Sequence, residues 1–142
     1  MIFLDTSFLY PLFSEEDVDH VRVREAFEAY RGRRRLRDLF ITTNLVVGET
    51  ITLIRTTPPR SHAAAVKAGE YLFAEKLARI HHVTVEEERE AFEYLKCYQD
   101  KEYSFTDCTS FILMERLGIR ESLAVDSDFT HRFIAYPGPK RK

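Results

Sequence analysis

The chain has 142 residues, 44% hydrophobic and 31% charged, so it can bury a core of ordinary size and is too apolar to be disordered. Its 21 Lys and Arg stand against 23 Asp and Glu, a net charge of −2, which excludes a protein that holds nucleic acid by global charge alone. Two cysteines, Cys97 and Cys108, form no CxxC pair, no signal peptide opens the sequence, and no stretch reaches the ~20 apolar residues of a membrane span, so a cytoplasmic protein with reduced thiols is expected.

Residues 2–4 are a short apolar run predicted as a buried strand, stopped by Asp5-Thr6-Ser7, a sequence suited to capping a helix. Helices are predicted over 7–13 and 19–30, the second from Val21, Val23, Phe27 and Tyr30 at near-helical spacing. A basic connector, Arg31-Gly32-Arg33-Arg34-Arg35-Leu36-Arg37, leads into a second strand over 39–43, rich in β-branched and aromatic residues. Asn44 is the expected cap of a helix running to 56, which Pro58-Pro59 stops. Ser61 is placed to cap a long helix reaching Leu77, and 80–84 reads as a third strand. Thr84 and Glu87 have capping-box spacing for a helix ending near Asp100. A helix over 106–117 ends at Gly118, and strands over 123–125 and 133–136 follow. Residues 1–137 are expected to form one domain, and 138–142 a frayed basic tail. Strands that alternate with helices and are apolar throughout predict an α/β fold with a parallel sheet covered on both faces.

Four acids stand where such a fold would put a site. Ligands bind beyond the carboxyl ends of parallel strands, and Asp5 and Asp126 each follow a predicted strand directly. Glu49 lies in a helix that is apolar on most sides, where a carboxylate is costly unless a cation or hydrogen bonds compensate it. Asp107 opens the 106–117 helix, where peptide N–H groups favour an anion. Each acid also has a plain structural role open to it: Asp5 as a helix cap, Asp107 as a dipole partner, Asp126 and Asp128 as turn residues, Glu49 as the partner of an arginine such as Arg55. Together, a set of hard oxygen ligands without a soft one selects Mg²⁺ or Mn²⁺ over zinc, and such ions serve phosphodiester hydrolysis.

These segments resemble the PIN domain family. Met1-Ile2-Phe3-Leu4-Asp5-Thr6-Ser7 is similar to the family's opening strand and acid, and Val46-Val47-Gly48-Glu49-Thr50 to its acidic helix. Tyr103-Ser104-Phe105-Thr106-Asp107-Cys108 resembles the segment with the third acid, and Leu123-Ala124-Val125-Asp126-Ser127-Asp128-Phe129 the last, all in the family's order. The resemblance implies a three-layer α/β/α sandwich around a parallel sheet of about five strands. It implies a divalent-metal-dependent endoribonuclease with Asp5, Glu49, Asp107 and Asp126 as metal ligands, Mg²⁺ or Mn²⁺ as cofactor, and Thr6 and Ser104 as supporting hydroxyls. Asp128 is an extra acid beside them. Many stand-alone members are VapC-like toxins, homodimers held inactive by an antitoxin protein, and that role is expected here. A nuclease of RNA processing or ribosome maturation, a non-catalytic RNA- or protein-binding domain, and a receiver-like signalling domain are the alternatives.

Arg31, Arg33, Arg34, Arg35 and Arg37 are candidate contacts for RNA phosphates, or else a solvated connector. His81 and His82, adjacent in a strand, would point to opposite faces and cannot chelate one ion. Cys108 has no evident His partner and reads as a packing residue, and Tyr71, Leu72 and Phe73 face either the core or a second subunit.

Overall fold

The computed structural model describes residues 1–33 and 35–141. The chain runs β1 (Ile2–Leu4), α1 (Thr6–Phe13), α2 (His20–Glu28), the single turn α3 (Leu36–Leu39), β2 (Phe40–Thr43) and α4 (Asn44–Thr56). It continues α5 (His62–Phe73), β3 (Arg79–His81), α6 (Val85–Cys97), α7 (Phe105–Leu117), β4 (Glu121–Ala124), a 3-10 turn (Asp128–His131) and β5 (Ile134–Pro137). The five strands form one sheet in the order β3-β2-β1-β4-β5, every pairing parallel. Helices on both faces complete the α/β/α sandwich expected from the sequence.

The strand order places the site. From β1 the chain builds outward through β2 and β3, then returns to β4 on the other side of β1. That reversal opens a crevice at the carboxyl ends of β1 and β4, where neighbouring connections leave in opposite directions. The two strands pair through Phe3↔Ser122 and Leu4↔Leu123, and Asp5 N–H donates to Leu123 O at 3.1 Å. Asp5 and Asp126 therefore flank the crevice, a neighbourhood that spacing alone left open.

Apolar burial holds the layers together. Phe3, Phe8, Phe40, Phe111 and Phe129 are fully buried, each worth roughly 1.5–3 kcal/mol of transfer free energy. Phe129 lies against Phe3 of the central strand (centroids 6.0 Å apart) and Phe111 of α7 (5.0 Å), which fixes the loop carrying Asp126 and Asp128 to the sheet. Gly69 lets α5 approach α4, since a Cβ there would meet the Ile51 side chain at 3.3 Å. Gly118 ends α7 in the left-handed region (φ 64°).

Several boundaries differ from the sequence reading, each for a local reason. Thr43, not Asn44, caps α4: its hydroxyl accepts from Val46 N–H at 3.1 Å, while Asn44 Oδ1 accepts from Val83 N–H at 2.8 Å and ties α4 to the chain after β3. Helix α5 stops at Phe73, because Glu75 turns to positive φ (48°) and Leu77 and Ala78 enter the core ahead of β3. Helix α6 ends at Cys97, short of Asp100, and α7 starts a residue early because Ser104 caps it. The turn α3 had no periodic signal in four residues. The expected frayed tail is instead held at its start: Gly138 is buried and its N–H donates to Ala124 O at 2.9 Å, and Arg22 Nη2 donates to Pro137 O at 2.9 Å. No helix among the described residues is long and apolar enough to cross a membrane.

Candidate metal centre

A cavity of about 400 Å³ opens at the carboxyl ends of β1 and β4. Asp5, Asp17, Asp19, Glu49, Glu102, Asp107, Asp126 and Asp128 line it, and among the described lining residues there is no Lys, Arg or His. Thr6, Ser7 and Ser104 complete its polar wall. All four acids singled out in the sequence thus meet in one place, and so do the three residues named in support, Thr6, Ser104 and Asp128.

The two oxygens of Asp5 differ in their partners. Oδ2 accepts from Ser7 N–H at 2.9 Å and from Ser7 Oγ–H at 2.6 Å, so Asp5 does cap α1. Oδ1 is buried and has no hydrogen-bond partner. Burial, then the nearby Asp107 carboxylate, push the Asp5 carboxyl up to about 7 against the pull of the Ser7 bonds. An unpartnered buried oxygen on a carboxylate that lines a cavity of acids is costly alone and is suited to a cation.

The other acids are aimed by neighbouring polar groups. Thr6 donates its hydroxyl to Glu49 Oε2 at 2.6 Å, joining the first turn of α1 to the middle of α4. Helix α4 packs against α1, and Glu49 faces the cavity at its partly exposed rim rather than a fully buried interior. Asp107 shares a capping box with Ser104: Ser104 Oγ accepts from Asp107 N–H at 3.0 Å, and Asp107 Oδ2 accepts from Ser104 N–H at 2.8 Å. Burial pushes the Asp107 carboxyl up to about 6; the Ser104 bonds oppose this and the Asp126 and Asp128 charges add to it. Asp126 Oδ1 accepts from Asp128 N–H at 2.8 Å, while Asp128 is itself raised by burial and by Asp126.

Among the described residues, no three carboxylate, imidazole or thiol groups are closed tightly enough to hold an ion as they stand. The donor set fits Mg²⁺ or Mn²⁺ all the same: hard oxygens, one of them an orphaned buried atom, in a cavity with no base among its described lining residues.

Ser7 was missed in the sequence. Its Oγ binds Asp5 Oδ2 and accepts from Val125 N–H at 3.2 Å and Asp126 N–H at 3.4 Å, so one hydroxyl joins both acid-bearing strand ends. Its position directly after Asp5-Thr6 was the available signal. Asp17, Asp19 and Glu102 were also missed, because loop closure rather than a pattern brings them to the rim.

The arginine connector lies elsewhere. It precedes β2, whose first residue pairs with Ile2, so it sits at the amino ends of β1 and β2, opposite Asp5. Arg31 pairs with Glu28 at 3.1 Å, Arg37 with Glu75 at 2.9 Å, and Arg33 lies over the Tyr30 ring; Arg35 is exposed, and Arg34 falls outside the described residues. His81 Nε2 bonds Glu87 Oε2 at 2.8 Å, and His82 is exposed and lies beyond the end of β3, so the expected placement of both in one strand does not hold. Cys108 is buried and its thiol is pushed up to about 11 by burial, which suits packing and not nucleophilic chemistry. A larger groove of about 990 Å³ between α1, α2 and α5 mixes Glu15, Glu16 and Glu70 with Arg24, Lys67 and Lys76, so size does not identify the chemistry here.

The PIN domain family model matches residues 2–132. This chain is a PIN-domain protein. The PIN-domain chain is 35% identical over 130 residues to proteins named 23S rRNA-specific endonuclease VapC20, from two strains of Mycobacterium tuberculosis (CDC 1551/Oshkosh and ATCC 25618/H37Rv), with 92% of each chain covered. The crystal structure of Mycobacterium tuberculosis VapC20, described as a Sarcin-Ricin loop cleaving toxin, superposes with a TM-score of 0.80 at 33% identity, over 92% of this PIN-domain chain and 94% of that one.

Proposed function

We propose that this protein is a divalent-metal-dependent endoribonuclease and the toxin of a toxin–antitoxin pair, with Asp5, Glu49, Asp107 and Asp126 as the ligands of Mg²⁺ or Mn²⁺. The observation that carries the reading is the buried, unpartnered oxygen Oδ1 of Asp5, a residue that lines one cavity with the other acids. Similarity to named ribosomal-RNA endonucleases over 92% of the chain supports it. Residues 1–137 form the nuclease domain in this reading, with 138–142 a basic extension.

When bound, the ion supplies Lewis acidity at a phosphate oxygen and lowers the pKa of the attacking water. The chain's own residues do the rest. Asp5 and Asp126, fixed at adjacent strand ends by Ser7, hold one side of the site. Glu49, oriented by Thr6, holds the other. Asp107 keeps one carboxylate oxygen on Ser104 N–H and lines the cavity beside the other acids. Ser104 keeps that carboxylate at the start of α7.

An antitoxin covering the acidic cavity and a homodimer are the partners this role calls for. Phe73 and Tyr71 on α5 are exposed and available to a second subunit. The test is incubation with ribosomal RNA and Mn²⁺ or Mg²⁺, followed by mapping of the new ends. Cleavage within the sarcin–ricin loop is expected. RNA left intact with both ions would overturn the nuclease reading.

A further inference from the structure

The acidic cavity poses an electrostatic problem that the four ligands do not solve. Among the described lining residues it has acids and no base, so an RNA strand approaching it is repelled over most of its rim. The arginine connector offers no relief, since it lies at the other end of β1 and β2.

Lys101 and His131 stand near Asp128, and a basic segment at the end of the chain is fastened against the rim. After β5 the chain is fastened twice: Gly138 N–H donates to Ala124 O, two residues before Asp126, and Arg22 of α2 binds the Pro137 carbonyl. These anchors direct Lys140 to Asp19, with Nζ 3.2 Å from Oδ1. Asp19 lines the acidic cavity. Its Oδ1 is buried and, among the described residues, makes no well-aligned hydrogen bond; Lys140 and Arg22 Nη1, the latter at 3.7 Å, meet its charge. The Lys140 side chain remains 58% exposed, and Arg141 is exposed beside it. An ammonium carries three donors, and Asp19 occupies one direction. The segment lies beyond residues 2–132, the stretch matched by the family model.

We propose that Lys140 and Arg141 form a phosphate-binding arm that receives the RNA strand at the rim of the acidic cavity, with Asp19 and Arg22 as the residues that position it. The proposal rests on the ribonuclease reading for its ligand. Asp19 aims the lysine, the two backbone anchors fix the arm against the Asp126 strand end, and the free donors meet phosphates flanking the bond to be cleaved. The arm acts in binding and leaves the hydrolytic step to the acids.

The test compares wild type, a Lys140→Gln/Arg141→Gln double variant and Lys140→Arg, on one structured RNA with Mn²⁺. Cleavage kinetics are read beside metal-free RNA-binding titrations over a salt series. The double variant should raise KM and Kd about tenfold, the size of a lost charged hydrogen bond. It should leave kcat close to wild type and flatten the plot of log K against log salt by about 0.7 per lost contact on single-stranded RNA. Lys140→Arg should keep the wild-type values. An unchanged KM, Kd and salt slope would overturn the arm, as would tighter binding in the double variant, which would make the segment a plug. Loss confined to kcat with a lowered Tm would assign it a structural role and overturn it equally. Failure of the wild type itself to cleave would instead overturn the nuclease reading, and the binding titrations would still decide the arm.

Discussion

Thr6 and Glu49, 43 residues apart in sequence, share a 2.6 Å hydrogen bond in which the hydroxyl donates to the carboxylate. The bond fixes which Glu49 oxygen is left for the cavity. Thr6→Val keeps the shape of the side chain and removes the donor. Second-layer partners of this kind are worth about 10- to 100-fold in metal affinity. The expected result is a fall of at least tenfold in Mn²⁺ affinity by calorimetry, with Thr6→Ser retaining most of it. Equal affinity in Thr6→Val would mean that Glu49 needs no help from α1.

Asp5 and Asp107, raised to about 7 and about 6 chiefly by burial, make metal binding and stability depend on pH in opposite ways. Without metal, each carboxyl binds its proton more tightly folded than unfolded. The associated stability is fully present below the unfolded value near 4 and is lost as pH rises through about 6 to 7. The metal-free protein should therefore melt higher at pH 5 than at pH 8. Ion binding requires the deprotonated forms, so affinity should climb over the same interval and protons should be released on binding. Calorimetry in buffers of different ionisation enthalpy reads that release; an affinity flat between pH 5 and pH 8 would contradict the assignment of these acids.

Asp5→Asn should separate stability from function. The amide keeps an acceptor for Ser7 N–H at the start of α1 and removes a buried charge beside Asp107. At pH 8 the metal-free variant should be more stable than wild type by on the order of 1–2 kcal/mol, measured by thermal or denaturant unfolding. The difference should shrink as pH falls and vanish only below about 4, the unfolded value. Cleavage should fall by at least about a hundredfold, as loss of a principal catalytic interaction does. A destabilised variant at pH 8 would show that the Asp5 carboxylate is compensated inside the chain.

Ser7→Ala removes the hydroxyl that joins Asp5 to the Val125 and Asp126 N–H groups. Leaving buried partners unsatisfied costs roughly 1–3 kcal/mol. A lower Tm together with weaker Mn²⁺ binding is expected, since both strand-end acids lose their common anchor. Reduced stability with unchanged metal affinity would confine Ser7 to a structural role.

The four principal acids were legible because each sits at a point where the local pattern breaks. Asp5 and Asp126 end apolar runs, Glu49 interrupts an apolar helix, and Asp107 stands in a helix's first turn. The parallel sheet was legible from strands alternating with helices. What stayed hidden depends on contacts distant in sequence. The pairing of β1 with β4 is a tertiary fact, and Ser7 matters only once that pairing brings Val125 beside it. Thr43 and Asn44 were exchangeable as caps by composition, and the contact of Asn44 with Val83 decided between them. The tail read as frayed because its anchors, Ala124 and Arg22, lie far back in the chain.

The most direct test of the four-acid metal site is RNA cleavage by the purified protein with Mn²⁺ or Mg²⁺, beside a chelated sample and an Asp107→Asn variant. Cleavage that disappears on chelation and in the variant, and returns to the wild type when the ion is restored, is the predicted result. Cleavage that survives both chelation and the substitution would contradict it.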